Sequence, residues 1–229
     1  DGNDYLDMHP DSVIPQPNTM VIVWQITDDN TNQQVIVFKQ EPASTPDLQS
    51  YNGQIRDFGY WQYDKYPPFT NINTIINNQD EGAVYENGSF MTANTDPYGY
   101  NMLRIGAKHN ATAGLIGDIA EIIVYDTVLS DAQRDSVEQY LRYKYAPPVN
   151  LGADINVGYG FCDTVITTAD KAWFTGYQWS TSEQDTLSTL IVSEPGSYAV
   201  TVTYIFGFVS SDSINVYFPN TPNFSDTTL

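Results

Sequence analysis

Short runs of β-branched and other apolar residues, broken every few positions by Pro, Asn, Asp or Gly, fill almost the whole chain, and one stretch alone carries a helical period. "VIVWQI" (21–26), "QVIVF" (34–38), "NMLRIGA" (101–107) and "GDIAEIIVYD" (117–126) read as strands. "AVYENGSFM" (83–91) reads as a hairpin, because Asn87-Gly88 supplies the left-handed backbone of a tight turn. After residue 126 the pattern changes. Ser130 and Gln133 stand at capping-box spacing, and Val137, Tyr140, Leu141 and Tyr145 fall on one helical face. That face predicts a helix over 131–145 packed against the sheets before it.

Pro147 and Pro148 stop the helix, and "APPVNLGAD" (146–154) reads as a linker. Beyond it "TVITTA" (164–169), "GYQWSTS" (176–182), "STLIVSEPGSYAVTVTYIF" (188–206) and "SDSINVYF" (211–218) resume the strand pattern at the short spacing of a small β-sandwich. The expectation is two domains, residues 1–146 and 150–218, followed by a polar stretch, 219–229, that reads as a linker or the start of a further repeat. The chain opens on "DGNDYLDM", already alternating, and is expected to belong to a larger processed protein with its first strand truncated.

Charge narrows the partners. The chain carries 28 Asp and Glu against nine Lys and Arg, a net −19, which repels phosphate backbones and anionic membrane surfaces. Nucleic acid is therefore not expected as a partner. Membrane insertion is not expected either, since no apolar run approaches the length of a span. Cys162 is the only cysteine, so no disulfide forms within the chain.

These residues carry two resemblances. "DGNDYLDM", "VYENG" (84–88), "LRIGA" (103–107) and above all "GDIAEIIVYDTVLSDAQRDSVEQYLRYKY" (117–145) resemble the laminin-G-like, concanavalin-A-type jelly rolls of secreted bacterial proteins. "NLGADINVGYGFCDTVITT", "YQWSTSEQDTLSTLIVSEPGSYAVTVT" and "SDSINVYF" resemble the immunoglobulin-like (PKD-like) repeats of Bacteroidota surface proteins. The implied fold class is all-β: a jelly-roll sandwich closed by one C-terminal helix, then a smaller immunoglobulin-like sandwich. In such repeats the cysteine often pairs with one after a late glycine. Phe208 stands at that place here, so Cys162 is expected to be an unpaired thiol in the core.

The resemblance raises catalysis, because concanavalin-A-type folds include glucan hydrolases. Those need two carboxylates about four residues apart on one strand, one to protonate the leaving oxygen and one to attack the sugar. Glu121 is followed by Ile122, Ile123 and Val124, and Glu81 and Glu86 lie beside a hairpin turn, so no activity is expected. His9 and His109 are too few and too far apart to suggest a histidine metal cluster. A structural Ca2+ is implied by the first resemblance, with Asp4, Asp118 and Glu121 as matching ligands. The aromatic stretch "FGYWQYDKYPPF" (58–69) supplies the expected sugar platform: Tyr60, Trp61 and Tyr63 to stack, Gln62 and Asp64 to read hydroxyls. Strict alternation there puts Tyr60 and Gln62 on one face and Trp61 and Tyr63 on the other. Trp24 and Trp179 lie inside strand-like runs and are expected in the cores.

Asp followed by Ser or Thr and then a small or apolar residue (or Thr) recurs at Ser12, Thr127, Ser136, Thr164, Thr186, Ser213 and Thr227. The pattern resembles an O-glycosylation acceptor motif of exported Bacteroidota proteins; Asp-Ser and Asp-Thr are also ordinary turn and cap pairs. Ser136 falls within the helical stretch and is a poor acceptor. Together these readings predict a non-catalytic, secreted or cell-surface modular protein for adhesion or glycan binding, gliding-associated and exported by type nine secretion. Glycans or surface proteins would be its partners, and the secretion machinery would meet it during export. The alternatives are an ancillary carbohydrate-binding part of a polysaccharide-degrading enzyme and a purely structural spacer.

Overall fold

The computed structural model describes residues 5–7, 13–27, 33–39, 45–51, 54–57, 60–64, 69–78, 82–94, 100–101, 104–107, 113–181 and 186–219. The chain divides into two compact units, Asp1–Arg142 and Tyr143–Leu229. In order, the elements of the first are β1 (Leu6–Asp7), β2 (Val13–Ile14), β3 (Asn18–Ile26), β4 (Gln34–Lys39), β5 (Thr45–Tyr51), β6 (Gln54–Asp57), β7 (Tyr60–Asp64), β8 (Phe69–Asn77), β9 (Gly82–Glu86), β10 (Ser89–Asn94), β11 (Tyr100–Asn101), β12 (Arg104–Ile105), β13 (Gly117–Tyr125) and α1 (Asp131–Tyr145). The second has β14 (Ile155–Asn156), β15 (Thr164–Thr167), β16 (Phe174–Trp179), β17 (Thr189–Val192), β18 (Gly196–Tyr204) and β19 (Val209–Tyr217).

The first unit is built from a sheet ordered β1-β12-β4-β5-β6-β7 and a sheet ordered β10-β9-β8-β3-β13, with a small β11-β2 ribbon. Alternate residues of β3 (Met20, Ile22, Trp24 and Ile26) form one cluster with Ile36, Val37 and Leu48 of the other sheet and with Ile75 and Val84. Both large sheets thus share one apolar core, the outcome that strand alternation dictates when one face of each sheet must leave water. Trp24 is buried in it and donates Nε1–H to Asn73 Oδ1 at 2.8 Å.

β3 is buried on its other face too, at Thr19, Val21 and Val23. Thr19 Oγ1 donates to Thr127 O and accepts from Leu129 N, which ties the approach to α1 down on that face. The helix starts as expected: Ser130 N donates to Gln133 Oε1 at 2.9 Å, and Gln133 N donates back to Ser130 Oγ at 3.4 Å. Its buried side differs from the expected one. Leu141 is fully buried, but its companions are Arg134 and Glu138, while Val137 and Tyr145 are half-buried and Tyr140 is 55% exposed. The sheet face beneath explains this. It carries Thr74, whose hydroxyl needs a buried acceptor, and Glu138 Oε1 provides one at 2.9 Å. Arg134 lies over the Tyr85 ring, 3.7 Å from its centroid, and Arg142 Nη2 donates to Asn87 O. Asn87 (φ 47°) and Gly88 (φ 87°) make the β9–β10 turn as expected, and a Cβ on Gly88 would lie 3.1 Å from Glu138 Oε2.

The second unit packs a sheet ordered β14-β19-β18-β16 with a β15-β17 pair. Ile166, Leu190 and Val192 of the pair are buried, as are Trp179, Val200, Val202, Ile214 and Val216 of the sheet. Trp179 sits in this core, as its strand context implied, and donates Nε1–H to Leu187 O at 2.9 Å. Residues 146–151, which read as a linker, are fastened to this unit. Trp173 Nε1 donates to Pro147 O, Val149 N to Tyr204 Oη, and Leu151 N to Asp212 Oδ2.

One expectation is overturned. Cys162 is exposed, not buried. It belongs to an irregular stretch ahead of β15, where Gly160 takes φ 90° and Phe161 N reaches back to Gly158 O, with Tyr159 and Phe161 exposed beside it. The alternating inward positions begin only inside β15, at Ile166.

Candidate binding cleft

β13 is an edge strand of its sheet, and β1 is an edge strand of the other. Between these edges lies a cleft of about 750 Å³. Leu6, Ile105, Leu115, Ile119 and Ile122 give it apolar walls, and Tyr5, Asp118 and Glu121 supply its polar side chains. An open concavity that joins apolar surface to a few polar groups is the usual form of a small-ligand site.

The two carboxylates lie on one face of β13 because the strand is irregular. A spacing of three along a regular strand would put Asp118 and Glu121 on opposite faces. Here Ile119 pairs with Trp24 and Glu121 with Val23, so Ala120 is an extra, bulged residue. Asp118, paired with Gln25, and Glu121, paired with Val23, thereby share one face of β13, while Ile119 and Ile122 pack toward the core. The strand begins at Gly117 for a steric reason: a Cβ there would lie 2.0 Å from Gln25 O. Gln25 Nε2 donates to Asp118 Oδ2 at 2.6 Å, fixing that carboxylate, and Asp118 is exposed.

On the β1 side, Arg104 grips Asp7 through Nε and Nη2 at 2.5 and 2.7 Å and lies 4.1 Å from the centroid of the Tyr5 ring. The guanidinium holds the Asp7 carboxyl below the usual carboxylate range, chiefly by the hydrogen bond. The pair fixes β1 on β12 and holds Tyr5, 42% exposed, at the mouth of the cleft. Tyr5, Asp7 and Arg104 were not singled out in the sequence as site residues. Their signal was the pairing of Leu6 and Asp7 with Ile105 and Arg104, which is visible only once the register is known.

Asp118 and Glu121, two of the expected calcium ligands, lie on one face of β13, and Asp4, the third, lies outside the described residues. Among those residues no group of three or more His, Cys, Asp or Glu is placed to hold a metal ion. The expected sugar platform occupies β7, the outer strand of the first sheet. Tyr63 pairs with Ile55, Trp61 with Arg56 and Tyr60 with Asp57, so Gln62 is a bulged residue and the strict alternation over 60–63 is interrupted. The side chains of Tyr60 to Asp64 lie outside the described residues. Of the Asp-Ser/Thr positions, Thr127, Thr186 and Ser213 are exposed and Thr164 is half-buried, while Ser12 and Thr227 lie outside the described residues. Ser136 is within α1 and donates to Ala132 O.

A second polar cluster lies on the core-facing side of β8 and β9. Asn71 Nδ2 donates to Glu86 Oε2, Asn87 Nδ2 to Asn71 Oδ1 and Asn73 Nδ2 to Tyr85 O. Burial pushes the Glu86 carboxyl up to about 7. Its amide neighbours Asn71 and Asn87 are hydrogen-bonded to one another.

No helix among the described residues is long and apolar enough to cross a membrane. Neither a protein-family model nor a curated protein sequence matches the chain. Among solved structures, Trypanosoma rangeli sialidase in complex with sialic acid is similar to it at 14% identity and a TM-score of 0.47, over 56% of this chain and 23% of that one. A point mutant of HCR/D is similar at 15% identity and a TM-score of 0.46, over 87% of this chain and 60% of that one. The chain thus spans less than two thirds of the length of each.

Proposed function

We propose that this chain is a non-catalytic glycan-binding module of a secreted or cell-surface protein, and that the cleft between β13 and β1 is its binding site. On this reading the first unit is a laminin-G-like jelly roll that presents the cleft, and the second is an immunoglobulin-like spacer. The observation that carries the reading is the composition of the cleft: an exposed tyrosine, an exposed carboxylate oriented by Gln25, and a second carboxylate around apolar walls. Sugars need this combination, since their C–H faces pack on aromatic and aliphatic surface while their hydroxyls donate to acceptors.

Binding rather than hydrolysis is the better account of the two acids. A general acid needs an apolar enclosure that keeps its carboxyl protonated. Asp118 is exposed and accepts an amide hydrogen bond instead. The test is a glycan array probed with the whole chain, repeated with Tyr5→Ala and Asp118→Ala, alongside an assay for released reducing sugar. Binding lost in both variants, with no sugar release, supports the reading. Release that disappears with Asp118→Ala would show an enzyme, and binding indifferent to both variants would move the site elsewhere.

A further inference from the structure

In the second unit β15 and β17 pair without a register shift, Val165 opposite Ile191 and Thr167 opposite Thr189. Ile166, Leu190 and Val192 turn inward and are buried in the core. A sheet with its other face in water ordinarily carries polar residues there. Here the outward face is apolar at its centre. Val165 is 53% and Ile191 70% exposed, Thr167 and Thr189 are exposed beside them, and so is Leu187, two residues ahead of β17. Neither "TVIT" nor "TLIV" contains a charged residue or a proline. Strands that are apolar on both sides belong to sheets covered on both sides, and an exposed patch of this kind marks an interaction surface.

We infer that this face is a self-association surface, on which a second copy of the chain packs its own β15-β17 face. Charge chooses the occupant. The chain carries a net −19, so partners drawn to it by charge are cationic, and they would seat on carboxylates, which these two strands lack. What the face fits is an equally uncharged, β-branched sheet surface, and the chain itself supplies one. Asp163 and Glu194, both exposed, stand at one end of it, just beyond the Thr164–Val192 pair. A two-fold axis across the strands sets Ile191 against Ile191 and Val165 against Val165, and it keeps the carboxylates of the two copies at opposite ends of the joint. The face is only two short strands wide, so the dimer belongs with the weak interfaces that bury less than about 1,200 Å² in total. Self-association through this face does not depend on the glycan-binding reading, whose cleft lies in the first unit.

The experiment is sedimentation equilibrium of the whole chain from about 1 to about 500 µM, at low and at high salt. The expected result is a monomer at the low end and a dimer at the high end. Association should strengthen in salt, which screens the repulsion between two acidic copies and leaves the apolar contact intact. Ile191→Asp sets two carboxylates against each other on the axis and should weaken dimerisation at least about tenfold. Ile191→Thr keeps a β-branched residue on the strand and should weaken it by less; it carries the test if the Asp variant melts below the parent protein. Val209, exposed on β19 of the other sheet, is the control: Val209→Asp adds the same charge elsewhere and should leave the dimer within about twofold. A monomer at every concentration overturns the inference. So does an association that dissolves in salt, or one that Ile191→Asp weakens no more than Val209→Asp does.

Discussion

Glu138 of the helix accepts a hydrogen bond from Thr74 of the central strand β8, 2.9 Å away and out of contact with water. The bond joins residues 64 positions apart, and it shows that α1 is seated on the sheet by a polar contact as well as by Leu141. Glu138→Ala would orphan the Thr74 hydroxyl, at a cost of about 1–3 kcal/mol. Leu141→Ala would leave a cavity and cost about 2–5 kcal/mol. Glu138→Gln keeps the acceptor and should cost less than Glu138→Ala. Urea unfolding of the whole chain measures all three; a helix merely resting on the sheet would leave the transition midpoint unmoved.

Stability should fall from mildly acidic to neutral pH. Burial raises the carboxyls of both Glu86, to about 7, and Glu138 above the usual 4.5. Each therefore binds its proton more tightly in the folded chain, so folding is favoured while it is protonated and loses that advantage as pH rises from about 4.5 toward the folded value. Asp7 acts oppositely: its carboxyl is lowered, and its contribution is lost only as pH falls through that lowered value. Melting temperature should decline between about pH 5 and 7, and Glu86→Gln should flatten that decline. Parallel profiles for the two proteins would refute the assignment to Glu86.

Cys162 should react in the native protein. It is exposed, so a thiol dye should label the folded chain about as fast as the unfolded one at the same pH. Labelling that waits for denaturant would return the thiol to the core.

Gly117→Ala should destabilise the first unit, because the new methyl would sit 2.0 Å from Gln25 O and the strands would have to part. Overpacking of this kind costs about 1–3 kcal/mol. The same shift disturbs the Gln25–Asp118 contact, so ligand binding should weaken along with stability. Unchanged stability would mean that β13 starts elsewhere.

The strands with dense β-branched sequence, β3, β4, β13 and β18, were legible from their residues, and so was the capping box of α1. β8 was not. "FTNINTIIN" alternates, but Asn71, Asn73 and Asn77 are turn-forming residues by habit, and they become strand residues here because their buried amides find partners in Glu86, Trp24 and Gln16. Those partners lie 15 to 61 positions away, a distance over which local pattern has no reach. The helix face was half legible for the same reason: periodicity finds the apolar positions, and it cannot know that Thr74 waits beneath for Glu138. Cys162 shows a different failure: it precedes β15, whose inward positions begin only at Ile166, and residue type alone does not tell where the irregular stretch ends and the strand begins. In the cleft, Asp118 and Glu121 were found from resemblance, while the geometry that unites them depends on a single bulged residue.

That residue, Ala120, has a consequence beyond the cleft. An open strand such as β13 is a template on which a second chain could add its own strand, the first step of edge-to-edge aggregation. The bulge breaks the even spacing of backbone donors and acceptors along it, and the nearby carboxylates repel an identical neighbour. A protein that carries this edge in a crowded setting is thereby kept from polymerising through it.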